Sequence, residues 1–105
     1  MTEQQFAKVL QELSFACKSI TSKEQIREVI HKYDMLFGGS NCNIIYSIEL
    51  YHCIKNVFGI ETSLEEVNSM LPAVCAKLNM NCSAMVFVEK LPENVLAGYQ
   101  IELFF

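Results

Sequence analysis

The spacing of apolar residues along the chain changes once, near residue 82, and this change constrains the fold more than any other feature. Up to residue 78, apolar residues recur every three or four positions, which is typical of helices that are apolar on one face. From residue 82 onward, β-branched and aromatic residues recur every second position, which favours strands. The sequence therefore predicts an α+β fold, with about four helices followed by a C-terminal antiparallel β-hairpin.

Two helices are predicted in the first 40 residues. The first covers residues 3 to 20, where apolar positions line one face and charged residues the others. The second begins at Ser22, because Ser22 followed three positions later by Gln25 forms the pattern of a capping box. It is expected to continue until Gly38 and Gly39 stop it.

The next apolar repeat covers residues 43 to 58 and ends at Gly59, a residue suited to a left-handed helix cap. Its β-branched residues leave a strand conceivable for residues 43 to 48. The helical spacing holds over some four turns, and we therefore predict one helix for the whole segment.

A fourth helix is predicted from Ser63 to Leu78, because Ser63 and Glu66 form a second capping pattern. Pro72 lies in the middle of this segment. A proline inside a helix removes one backbone hydrogen bond and clashes with the preceding turn. We therefore expect a kink at this position or a split into two short helices.

The predicted hairpin has two unlike strands. Residues 85 to 88 are apolar on both faces, so we expect other elements to cover both. A turn region containing Pro92 follows, and residues 99 to 105 form the second strand, with Gln100 and Glu102 facing solvent.

The order of elements in the second half is that of a helix-turn-helix domain with a β wing. A winged-helix-like DNA-binding regulator is therefore the alternative prediction. A recognition helix should present basic or amide side chains to the bases and phosphates. The candidate helix offers Lys77 as its only cation and begins with Glu65 and Glu66. Nucleic acid is therefore not the favoured partner.

Length and charge bound the function further. The 105 residues are predicted to form a single domain, 1–105, and 51% hydrophobic residues exclude a disordered acidic tail. The net charge is −4, and the whole acidic excess lies in residues 41 to 105. No apolar run approaches the length of a membrane span, so we expect no membrane partner.

Five cysteines, an odd number, are typical of a reducing compartment, and we expect a cytoplasmic protein. Their spacing does not match the close ligand pairs of common zinc sites. A catalytic thiol would need a neighbouring histidine and an orienting group, which the sequence does not indicate for His31 or His52. We predict no metal site, no cofactor, no catalytic residue and no enzymatic activity.

The function predicted instead is that of a small, acidic, non-catalytic protein-binding or regulatory module. An acidic surface would contact a cationic protein partner through charge complementarity. Such a partner could be the nucleic-acid-binding groove of another protein, as for small inhibitors encoded by mobile elements. The alternative is that these carboxylates only solvate a surface. The predicted partner-binding residues are Glu61, Glu65, Glu66 and Glu102.

The C-terminal strand also suggests a homodimer. It ends in Leu103, Phe104 and Phe105, with no following segment to cover it. A free strand edge beside aromatic side chains invites pairing with a second copy. The alternative is that Phe104 and Phe105 fold back onto the helices and complete the core of a monomer.

Overall fold

The chain folds into four α-helices and a three-stranded antiparallel sheet, as seen in a computed structural model that describes residues 1–93 and 95–105. This confirms the α+β class, with β2 and β3 at the C-terminal end. A short 3-10 turn at Val88–Lys90 separates these two strands. The elements are α1 (Glu3–Lys18), α2 (Lys23–Tyr33), β1 (Ile44–Tyr46), α3 (Ser47–Asn56), α4 (Leu64–Lys77), β2 (Asn81–Val86) and β3 (Leu96–Glu102).

The second helix begins where the sequence predicts and ends earlier. The Ser22 hydroxyl accepts a hydrogen bond from the Gln25 N–H at 3.2 Å, which confirms this cap. The helix ends at Tyr33, because Asp34 adopts a left-handed conformation with φ of 49°. The prediction that it continues to Gly38 is therefore wrong, because Asp34 and not a glycine adopts the left-handed conformation that ends the helix.

The predicted helix over residues 43 to 58 is also wrong in its first turn. Ile44–Tyr46 form β1, which pairs with the last residues of β3 and places Ile45 opposite Ile101. Both of these isoleucines are completely buried. Strand pairing with a distant segment therefore overrides the local helical spacing, and α3 begins only at Ser47.

Pro72 does not split α4, which is one helix over Leu64–Lys77. Its start is capped as predicted, because the Ser63 hydroxyl accepts from the Glu66 N–H at 3.1 Å. Pro72 lies on the exposed face of the helix. The ring therefore does not disturb the core, although the Asn68 carbonyl loses the N–H that another residue would supply.

The order of strands in the sheet is β1-β3-β2, so the last strand is the central one. The predicted homodimer assumed that this last strand lies at the edge of the sheet with unpaired backbone groups. That assumption is wrong, because β3 lies between β1 and β2. The residues after β3 divide between core and surface. Leu103 is buried and Phe104 packs partly against the core, whereas Phe105 is exposed.

The hydrophobic core lies between the helices and one face of the sheet. α1 contributes Phe6, Leu10 and Leu13, and the sheet contributes Ile45 and Ile101, all of them fully buried. The remaining buried apolar residues come from α1, from the end of α2 and the segment after it, from α3 and α4, and from the sheet ends: Val9, Cys17, Tyr33, Met35, Leu50, Cys53, Ile54, Val67, Leu71, Val74, Cys75, Met80 and Leu103.

A strand before α3 and a strand pair after α4 complete a winged-helix-like element order in the second half. In this arrangement α4 occupies the place of a recognition helix, and the β2–β3 ribbon occupies the place of a wing.

Candidate interaction surface

The ribbon formed by the outer parts of β2 and β3 is apolar and exposed. We call it the wing and define it as residues 84–93 and 95–97 of the described chain. Val88 is 75% exposed and Leu91 is 52% exposed, which are large fractions for aliphatic side chains. The other large apolar residues exposed in the wing are Val86, Phe87, Val95 and Leu96.

The prediction that other elements cover both faces of residues 85 to 88 is therefore wrong at the outer end of β2. Ala84 and Val86 are both exposed, and Met85 between them is only half-buried. The helices reach only the base of the ribbon, because β2 and β3 extend beyond the body of the molecule. Neither face of the wing is buried by the described residues.

The base of the wing is fixed to α3 by a close backbone contact. The Tyr99 N–H donates to the Ser47 hydroxyl at 2.9 Å. Gly98 has a φ of 150°, and a Cβ there would lie 2.7 Å from the Ser47 oxygen. Only glycine fits this position without a shift. The wing therefore projects from a rigid attachment.

Backbone hydrogen bonds show which groups of β2 face its outer edge. The Phe87 N–H donates to the Val95 carbonyl at 3.1 Å, so the backbone N–H and carbonyl groups of Phe87 are directed towards β3. Because the backbone groups of successive residues are directed to alternate edges of a strand, those of Ser83 and Met85 are also directed towards β3. This agrees with Tyr99, whose N–H points away from β2 to Ser47.

It follows that Cys82, Ala84 and Val86 present their N–H and carbonyl groups to the outer edge of β2. No other strand and no side chain of the described residues bonds to these groups. None of the six side chains of β2 carries a charge. Edge strands of soluble proteins are usually protected by lysine, proline or a covering element, and β2 has none of these.

A groove of about 270 Å³ with mixed polar and apolar walls lies near the other end of β2. Its walls come from one face of α1, from the turn between α4 and β2, and from the end of the chain. Phe15 on this groove is 74% exposed. The groove is lined by Gln11, Ser14, Phe15, Lys18, Leu78, Met80 and Leu103, among which Lys18 is the charged residue.

The four glutamates predicted to bind a cationic partner do not form one surface. Glu61, Glu65 and Glu66 lie at the start of α4. Glu102 lies in β3 opposite Asn81, beyond the other end of α4. A helix of 14 residues separates its two ends by roughly 20 Å.

Two of the four glutamates already have partners within the chain. Glu66 accepts a hydrogen bond from the Thr62 hydroxyl at 2.7 Å and forms an ion pair with the N-terminal amine at 3.2 Å. These contacts, the hydroxyl first, lower the pKa of the Glu66 carboxyl. Glu102 accepts from the Asn81 amide at 2.7 Å. Glu61 and Glu65 remain exposed.

The exposed face of α4 is poor in the groups that contact nucleic acid. It presents Glu65, Ser69, Pro72, Ala73 and Ala76, which are acidic, small or apolar. None of these five residues has the guanidinium, ammonium or amide group that contacts base edges. The cation at the end of the helix, Lys77, is paired with the Glu3 carboxylate of α1.

Four of the five cysteine thiols lie in surroundings that oppose nucleophilic chemistry. Burial raises the pKa of Cys17, Cys53 and Cys75 to about 12. Burial also raises the pKa of Cys82. A reactive cysteine needs the opposite shift, because the thiolate is the attacking species. Cys17, Cys53 and Cys75 instead pack in the core, as small apolar residues do.

The described residues contain no group of three or more His, Cys, Asp or Glu side chains placed to hold a metal ion. None of the helices in this part of the chain has the length and apolar character needed to cross a bilayer. Comparison of the chain with protein-family models, with curated proteins and with solved structures gave no match in any of the three.

Sequence reasoning missed the wing as a functional surface. The apolar residues of 84–97 looked like core because apolar strands usually are. Nothing in their local spacing distinguishes an exposed ribbon from a buried strand pair. The open edge of β2 depends on strand order, which the local pattern does not contain.

Proposed function

We propose that the protein is a small, non-catalytic protein-binding or regulatory module that contacts its partner through the wing. The observation that carries this proposal is the exposure of six large apolar side chains on a rigidly attached ribbon. Contiguous exposed apolar patches on soluble proteins mark interaction sites. The cysteine-rich, disulfide-free chain fits action in the reducing cytoplasm.

The character of the wing favours a protein over nucleic acid as its partner. Its charged residues are Glu89, Lys90 and Glu93, two of which repel phosphate. The ammonium of Lys90 lies 5.9 Å from the centre of the Phe87 ring, so the side chain lies along the wing itself. Burying the apolar side chains would contribute about 25 cal/mol for each Å² removed from water.

A cationic partner is compatible with this proposal at a second contact. Glu61 and Glu65 are exposed at the start of α4, where they could meet basic side chains of the partner. A small inhibitor encoded by a mobile element, which occupies the nucleic-acid-binding groove of another protein, is one module with these properties.

The competing function is that of a winged-helix DNA-binding regulator, which the element order favours. The acidic and small side chains on α4 oppose it. Chromatography on heparin or immobilised duplex DNA at low salt tests this alternative, because phosphate contacts make retention fall steeply with added salt. We expect the protein to pass through unretained, and salt-sensitive retention would favour the DNA binder.

A photo-crosslinking residue placed at position 88 tests the main proposal in the native host. Val88 is the most exposed of the large apolar residues of the wing, so the substitution does not disturb the core. The matched control carries the same group at Lys23, which is exposed at the start of α2. We expect protein adducts from position 88 and few from position 23. Nucleic-acid adducts, or equal yields at both positions, would overturn the proposal.

A further inference from the structure

We infer that the wing binds a second copy of this chain, through antiparallel pairing of two β2 strands about a two-fold axis at Ala84. This inference rests on the proposed function, because it names the partner of the same surface. The pairing edge proposed here is that of β2, which is open along its length, and not that of β3, which pairs with β1 over Gln100–Glu102.

The geometry of the edge restricts the register of such a pair. A two-fold axis perpendicular to the sheet leaves every side chain on its own face, so one residue must face itself across the axis. That residue must also direct its backbone groups outwards if it is to bond with its counterpart. Ala84 is the central one of the three residues that do so.

This register uses every outward group of the strand. Ala84 bonds to Ala84 of the second copy, and Cys82 bonds to Val86 on either side of the axis. The two strands thereby gain about six hydrogen bonds and form a continuous six-stranded sheet. The exposed methyl group of Ala84 leaves the centre of the contact free of bulk and of like charges.

The same register brings the tip of each wing to the groove of the other copy. In this register Phe87 lies opposite Asn81 of the second copy, where β2 of that copy begins. The 3-10 turn at Val88–Lys90 follows Phe87 and therefore lies beside the turn between α4 and β2 of the second copy. Met80 and Leu78 both line the groove that ends at the exposed Phe15. The exposed apolar side chains of each tip can therefore pack against Phe15, Leu78 and Met80 in the groove of the other copy.

Charge and size are also compatible with a second copy. The tip carries Glu89 and Glu93 against one cation, and the charged residue lining the groove is Lys18. The strand, the wing and the groove together supply about two dozen residues a side, within the roughly 20 to 30 of a standard interface.

Sedimentation velocity of the intact chain and of Ala84→Pro tests the pairing. The Ala84 N–H faces solvent in one chain, so proline there spares the β2–β3 ladder while it removes the central intermolecular bonds. We expect a dimer of the intact chain at about 100 µM. The dissociation constant of Ala84→Pro should be at least about tenfold higher, with the helical circular dichroism unchanged. A monomeric intact chain, or a folded Ala84→Pro that still dimerises equally well, would overturn the inference.

Cross-linking decides the matter if Ala84→Pro fails to fold. In the proposed register, Ala84→Cys places two thiols opposite each other at a Cα separation of about 5.5 Å, which a disulfide spans. Ser83→Cys is the matched control, because Ser83 faces Met85 of the second copy. We expect mild oxidation to give covalent dimers of Ala84→Cys well above those of Ser83→Cys and of the unsubstituted chain. Equal yields would reject this register.

Failure of this inference is distinguishable from failure of the proposed function. Adducts from position 88 that have twice the mass of the chain support the second copy. Adducts with other proteins, from a chain that sediments as a monomer, retain the protein-binding function and reject the homodimer.

Discussion

The body of the molecule and its wing use apolar residues in opposite ways. In the body, which comprises α1 to α4 and the paired base of the sheet, residues such as Leu50 and Ile101 are fully buried. In the wing, Val88 and Leu91 stay in water although a short chain has few apolar residues to leave unused. The contrast indicates that the body carries most of the free energy of folding, whereas the wing leaves its apolar side chains exposed, as the proposed binding function requires.

Alkaline pH is expected to produce the largest loss of stability, because it acts on three thiols of the body at once. Burial raises the pKa of Cys17, Cys53 and Cys75 from 9.0 to about 12. A group with a raised folded pKa stabilises fully below its unfolded pKa and loses this contribution as the pH rises through the folded value. Ionisation of the three buried thiols should therefore lower the free energy of unfolding progressively as the pH rises from 9 towards 12.

Urea unfolding at pH 8 and at pH 11 measures this loss. Tyr33 should add to it, because burial and the hydrogen bond to Glu12 raise the pKa of its phenol as well. Cys53→Ala is the matched variant, and it should show a smaller decrease between the two pH values. A free energy of unfolding that stays constant from pH 8 to pH 11 would contradict the burial of these groups.

A pair of leucine substitutions compares a buried with an exposed side chain at constant chemistry. Leu50 is 0% exposed and Leu36 is 66% exposed. Leu50→Ala should lower the free energy of unfolding by about 2–5 kcal/mol, because it removes buried contacts and leaves a cavity. Leu36→Ala should change it by less than about 0.5 kcal/mol. Similar losses from both substitutions would mean that the core is placed wrongly.

Gly98 lies at the junction of the two regions, and substitution there should loosen the attachment of the wing. Gly98→Ala introduces both an unfavourable φ of 150° and a contact of 2.7 Å with the Ser47 oxygen. We expect a loss near the upper end of about 1–3 kcal/mol. Gly59 is the control, because it also has a positive φ but no atom within 4 Å of an added Cβ.

Hydrogen exchange of the wing amides, measured beside urea unfolding, separates the two effects at Gly98. Gly98→Ala should speed exchange at Phe87, whose N–H bonds within the wing. Gly59→Ala should leave that amide unchanged. An equal effect of the two substitutions on Phe87 would show that the Ser47 contact does not hold the wing.

The sequence was sufficient where local physics decides the structure. Ser22 and Ser63 cap helices in the structure as their spacing predicts, because a cap involves only residues three positions apart. The four helices and the C-terminal strands follow from apolar periodicity for the same reason. Asp34 shows the limit of this reasoning, since its left-handed conformation ends α2 without the expected glycine.

The remaining features depend on contacts between distant segments. Ile44–Tyr46 become a strand because Gln100–Glu102 lie beside them, more than 50 positions along the chain. The hydrogen bond from the Asn81 amide to Glu102 also depends on the pairing of β2 with β3. The open edge of β2 likewise follows from strand order. The candidate interaction surface could therefore not be obtained from apolar spacing or net charge.

The smallest expected effect on stability is at the tip of the wing, and it provides the sharpest test of the comparison. Val88→Ser and Leu91→Ser each replace an exposed aliphatic side chain by a polar one. Both should change the free energy of unfolding by less than about 0.5 kcal/mol, because nothing in the folded chain buries these side chains. Urea unfolding at low micromolar protein concentration measures this for the separate chain.

The same substitutions should nevertheless raise the dissociation constant of the wing for its partner, since they remove apolar contact area. A large loss of stability would instead assign Val88 and Leu91 to the body, and the wing would then have no apolar surface to offer a partner.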